Sequence, residues 1–131
     1  MTESEGVYGA EAMECLAKLE CGISDTPFEY IGLSTDGSEP TDGQTFMSGE
    51  VVRLKATASY EAPGTAVWTR TFEFEEDLSI KKVGVFDAPE GGHMLLQGLL
   101  SVEKNVGDGD ELTIMVKDAN SPLIEVSGDG E

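Results

Sequence analysis

The chain has 131 residues and carries 26 Asp and Glu against 8 Lys and Arg, a formal net charge of −18. That balance excludes a nucleic-acid surface, which needs Lys and Arg against phosphate, and no apolar run approaches the roughly 18 residues of a membrane-spanning helix. Hydrophobic residues still make up 39% of the chain, and they fall in alternating runs, which sets it apart from an acidic disordered segment.

In chain order, residues 1–6 are polar and read as loose. They have neither the basic start nor the apolar stretch of a secretory leader, so none is expected. Residues 8–20 read as a short helix, with Ala12, Cys15, Leu16 and Leu19 at helical spacing and Gly22 as a stop. So short a helix must dock its apolar stripe on something, which makes Leu16 and Leu19 candidate interface residues. Either a neighbouring subunit or the chain's own core would serve. Cys15 and Cys21 lack the further ligands of a zinc set. A disulfide and a pair of free, buried thiols both stay open, the free thiols being the simpler reading.

From residue 28 the period changes to two. Residues 28–33 predict a first strand, and residues 34–49, rich in Ser, Thr, Asp, Gly and Pro, a long loop. Residues 50–60 alternate, with Val52, Leu54, Ala56, Ala58 and Tyr60 on one face. After the Pro63-Gly64 turn, residues 65–76 put Trp68, Phe72 and Phe74 on one face. Arg70 interrupts that apolar side, which places it at an edge or beside a carboxylate. Residues 80–87 form the next strand, with Val83, Gly84 and Phe86 as scaffold. The turn at 88–92 leads into residues 93–103, where Met94, Leu96, Leu100 and Val102 share a face. Leu112, Ile114 and Val116 mark the last clear strand, and residues 118–131 are a polar tail with a short apolar stretch at 123–126. Short strands punctuated by turns predict a mainly β fold: one domain over 1–131, an antiparallel β-sandwich of six to eight strands with one short N-terminal helix. Its expected core is Trp68, Phe72, Phe74, Val83, Gly84, Phe86, Met94, Leu96, Leu112 and Ile114.

Catalytic chemistry is sparse. His93 is the sole histidine, and no serine or cysteine in the sequence stands out as its partner in a triad. The acidic turn 105–111 lacks the ligand spacing of a calcium loop. No catalytic residue, no cofactor-binding residue and no defined metal ligand is expected, although cations drawn from concentrated salt could bridge facing carboxylates.

Specific residues carry a family resemblance over about 28–117. They are Gly49-Glu50-Val51-Val52-Arg53, then Trp68 to Phe74, then Val83-Gly84-Val85-Phe86-Asp87-Ala88 closely followed by Gly91-Gly92-His93-Met94-Leu95, and last Gly107 to Ile114. In order and spacing they resemble small virion proteins of tailed viruses: tail-fibre, tail-collar and related appendage proteins. Lys81-Lys82 and Met115-Val116-Lys117 depart from that pattern. The resemblance implies a non-enzymatic structural role in a virion, worked through homo-oligomerisation as a trimer or other cyclic assembly, through other virion proteins, and through a surface offered to the host cell. Arg53 and Arg70, the two arginines, are candidate subunit bridges, with pairing inside the chain as the alternative. The acidic surface is that of a protein at home in molar salt, where the Debye length is about 3 Å, and joined to the resemblance it points to a haloarchaeal tailed virus. A tail fibre or baseplate part, a capsid decoration or vertex turret protein, and a small halophilic cellular binding module or an enzyme with an unseen site are the readings that stand.

Overall fold

Two antiparallel five-stranded sheets face one another in the computed structural model, which describes residues 2–40, 44–119 and 122–128. The elements are β1 (Thr2–Glu5), β2 (Val7–Tyr8), α1 (Ala12–Glu20), β3 (Tyr30–Ser34), β4 (Glu50–Lys55), β5 (Thr57–Glu61), β6 (Thr65–Glu73), β7 (Leu78–Phe86), β8 (Met94–Val106), β9 (Glu111–Asp118) and β10 (Pro122–Gly128). The first sheet runs β1-β10-β9-β6-β5 and the second β2-β8-β7-β3-β4. The fold is therefore the expected mainly β class with one short helix. The strands beyond the six plain in the sequence come from the two ends of the chain and from a corner. Part of the 34–49 loop (41–43) and part of the C-terminal tail (120–121 and 129–131) lie outside the described residues.

Alternation fills the space between the sheets. Trp68 and Phe72 of β6, Ile114 and Val116 of β9, and Ile124 and Val126 of β10 meet Ile31 and Leu33 of β3, Val83 and Val85 of β7 and Leu96 of β8. Phe74 and Leu112 join them. Each such large side chain taken out of water stabilises by about 1.5–3 kcal/mol. The Trp68 indole N–H donates to the Phe28 carbonyl at 2.6 Å, which satisfies its polar edge inside the core. Ala12, with Cys15, Leu16 and Leu19 partly covered, packs on the same core, so α1 docks on its own sandwich.

Two segments cross from one sheet to the other. Residues 50–61, expected as one strand, break at Ala56. β4 lies at the edge of the second sheet and β5 at the edge of the first, with buried Ala56 donating its N–H to Glu29 at 2.7 Å at the corner. This is why Ala58 and Tyr60 do not continue the buried face. The residues read as a loose N-terminus do the same on the opposite flank. β1 pairs with β10, Gly6 donates to the Pro122 carbonyl, and β2 pairs with β8. There the Ser101 N–H of β8 donates to the Ser4 hydroxyl at 2.8 Å. Paired backbone in β1 was not legible because its residues are polar on both faces.

Two expectations about facing need correction. Phe86 and Gly84, with Lys82, lie on the outer face of the second sheet, because Val83 and Val85 take the inner one. Phe86 is buried there in a separate cluster with Met47 and Met94. In β8 the register slips between Val85 and Phe86, so Leu96 faces the core while Met94 joins Phe86 outside. A second slip, between Ile80 and Lys82, carries residues 100–103 out of the ladder, which leaves Val102 54% exposed.

Candidate functional site

The outer face of the second sheet holds the most heavily built polar structure in the molecule, and Arg53 is at its centre. Arg53 projects from β4 on the side opposite Val52 and Leu54, which pack toward the core. Its guanidinium makes a forked pair with Glu50, Nε to Oε2 at 2.6 Å and Nη2 to Oε1 at 2.7 Å. Nη1 donates to the carbonyls of Ala88 and Gly91, both at 2.9 Å. The plane lies 3.6 Å from the centroid of the Phe86 ring. Phe86 in turn lies across the cross-strand pair Gly32 and Gly84, where a Cβ would stand 2.8 Å and 3.0 Å from its Cε1. A side chain at Gly32 would have to displace the ring and the Glu50 carboxylate, and one at Gly84 would press against the ring. The Glu-Val-Val-Arg segment, the Gly84-Val85-Phe86 segment and the 88–91 turn are thus one contact set, and Arg53 bridges within the chain.

Beside it, Lys82 anchors the long β3–β4 loop. Its side chain is fully buried, and Nζ reaches Ser38 Oγ at 3.1 Å, Ser48 Oγ at 3.3 Å and Asp36 Oδ2 at 3.6 Å. Asp36 also accepts from the Ser48 hydroxyl and from both the N–H and the hydroxyl of Ser38. These bonds, the Ser48 hydroxyl first, hold its carboxyl far below the usual carboxylate range. Ser34 donates to the Ser48 carbonyl and accepts from the Asp36 N–H. The loop is therefore fastened at both ends on a buried cation, with Met47 tucked against Phe86 and Phe46 left 61% exposed. The sequence had marked Lys82 only as a departure. Its place on the Phe86 face, four residues away in the same strand, was the available signal.

The 87–93 turn borders a groove of about 720 Å³ against α1, lined by Glu11, Glu14, Cys15, Lys18 and His93 among others. Asp87 accepts the His93 N–H at 2.7 Å and lies 3.0 Å from its Nδ1. Burial, with Asp87 and the helix glutamates behind it, pushes the Cys15 thiol up, opposite to what a nucleophilic thiolate requires. Among the described residues no group of three or more His, Cys, Asp or Glu side chains is placed to hold a metal ion. Arg70, the other candidate bridge, is exposed on β6 and donates to the Lys55 carbonyl at 3.3 Å, at the corner where β4 leaves for β5. Leu16 and Leu19 are spent on the core, as described above.

The best-built polar contacts among the described residues thus fasten the long β3–β4 loop and the 87–93 turn to the second sheet. Residues 26–120 match the model of the family described as Podophage GP4 fiber I protein gp80. The match covers most of the chain, which belongs to this phage fibre family. No curated protein matches it.

Proposed function

We propose that the chain is a non-enzymatic structural subunit of a tail fibre, carried in the virion of a tailed virus with a haloarchaeal host. It works as a homo-oligomer beside other virion proteins. The loop fastened by Lys82, with Phe46 at its surface, and the 87–93 turn fastened by Arg53 form the surface it offers to a partner or to the host cell. The family match over residues 26–120 carries this reading, and the net charge of −18 supports the host.

The test is to label the chain in purified particles. Label confined to the tail, at a fixed low copy number, is expected. Label spread over the shell would identify a decoration protein, and absence from particles would end the virion reading.

A further inference from the structure

Of the four edge strands of the two sheets, three carry charge or are cut short; β5 differs. β1 carries Glu3 and Glu5, β4 carries Glu50, Arg53 and Lys55, and β2 has two residues. The β5 edge, Thr57-Ala58-Ser59-Tyr60-Glu61, is exposed along its whole length and has one charge, Glu61, which pairs with Lys117 at 3.5 Å. It has no proline, no inward charge and no bulge, the devices that normally keep an edge strand from pairing. Ala58 and Tyr60 stand opposite Trp68 and Ala66 and therefore on the core side of the sheet, yet nothing shields them. The Tyr60 ring is 72% exposed, while its hydroxyl accepts the Gly64 N–H at 2.9 Å, which holds it in place.

We infer that β5 is the edge along which a second copy of this chain adds antiparallel, making one continuous sheet from two. Charge selects the occupant. A basic partner would be drawn to the carboxylates elsewhere on the surface, whereas a partner as acidic as this chain can approach closely only where charge is lowest. An antiparallel pairing centred on Ser59 also sets Ala58 against Tyr60 of the second copy and the reverse, so each copy covers the apolar pair the other leaves open. This rests on the homo-oligomer reading above and names its surface.

The test is sedimentation of the full chain at molar salt over a wide concentration range, beside Ser59→Pro. Concentration-dependent association is expected, weakened by about tenfold or more when a proline at the symmetry axis blocks the close approach of a second strand. Ser59→Cys, at the symmetry axis, is expected to join two copies through a short bifunctional thiol reagent far faster than Thr113→Cys on the sheet face, each measured against the unsubstituted chain with its exposed Cys21. If Ser59→Pro proves unfolded by circular dichroism, this cross-linking comparison decides alone. Association indifferent to Ser59→Pro, or equal cross-linking at 59 and 113, overturns the β5 edge while self-assembly stands. A chain that stays monomeric at every concentration overturns both.

Discussion

The Arg53 guanidinium and the Phe86 ring lie 3.6 Å apart, face to centroid, and this stack joins two sequence segments 33 positions apart into one structure. The ring keeps water from one side of the cation while Glu50 and two backbone carbonyls occupy its hydrogens. A desolvated cation over an aromatic face gains about 1–2 kcal/mol beyond its hydrogen bonds.

Replacing Arg53 with Ala is accordingly expected to cost about 3 kcal/mol or more, because it strands Glu50 and leaves the Ala88 and Gly91 carbonyls without their donor. Arg53→Lys should recover less than half of that, since an ammonium keeps the charge but cannot make the fork. Denaturant unfolding in molar salt measures both. Equal midpoints for wild type and Arg53→Ala would show that the set adds nothing to stability.

Gly98 offers a separate check on how the flank is closed. A Cβ there would stand 2.5 Å from Ile124 Cδ1 and 2.8 Å from the Glu5 carbonyl oxygen. Gly98→Ala should therefore push away both β10 and the crossing N-terminal strand, at an overpacking cost of about 1–3 kcal/mol. Hydrogen exchange should quicken first in residues 2–8 and 122–128. Faster exchange confined to β5 and β6 would contradict this account.

The core strands were legible because a half-buried strand writes its period into the sequence. Trp68, Phe72, Ile114 and Val116 alternate cleanly and meet where that pattern puts them. Three kinds of feature were not legible. The corner at Ala56 leaves no break in the alternation of residues 50–60. The slip at Leu95 turns Met94 away from Leu96 without any glycine or proline to announce it. The burial of Lys82 left no mark, because its partners Asp36, Ser38 and Ser48 come from a loop with no period at all. Arg53 was found as a rare cation in the shared motif, but its partners follow from Phe86 facing outward, which only the register reveals.

Asp36 makes the loop clasp sensitive to acid in a defined direction. Its folded value is depressed by the Ser48 hydroxyl first, then by the Ser38 N–H and hydroxyl, with the Lys82 charge adding. A depressed carboxylate stabilises the fold at every pH above its ordinary value of about 3.9 and loses that contribution only as pH falls through the depressed one. In a carbon-detected NMR titration, Asp36 should stay ionised after exposed carboxylates have taken up protons, and Ser48→Ala should move its midpoint back toward them. Titration together with the exposed carboxylates in the unsubstituted chain would refute the clasp. Lys82→Met, removing the cation, should quicken amide exchange at residues 34–38 while the core holds.

Salt should govern stability in the opposite sense to that of an ordinary ion-paired surface. The exposed ion pairs, such as Lys18–Glu14 at 3.2 Å, are few among 26 carboxylates, so the dominant surface term is repulsion between like charges. Screening that repulsion favours the compact state and its self-association. Below about half-molar salt the Debye length exceeds 4 Å and neighbouring carboxylates act on one another again. The unfolding midpoint and the sedimenting mass should therefore rise together as salt is raised toward molar concentrations. The β5 edge, with its single paired charge, should be the least affected part of the surface, so association should survive to lower salt than a face lined by Glu3, Glu5 and Glu125 would permit. Circular dichroism and sedimentation unchanged on dialysis into near-pure water would remove the argument for a salt-adapted surface.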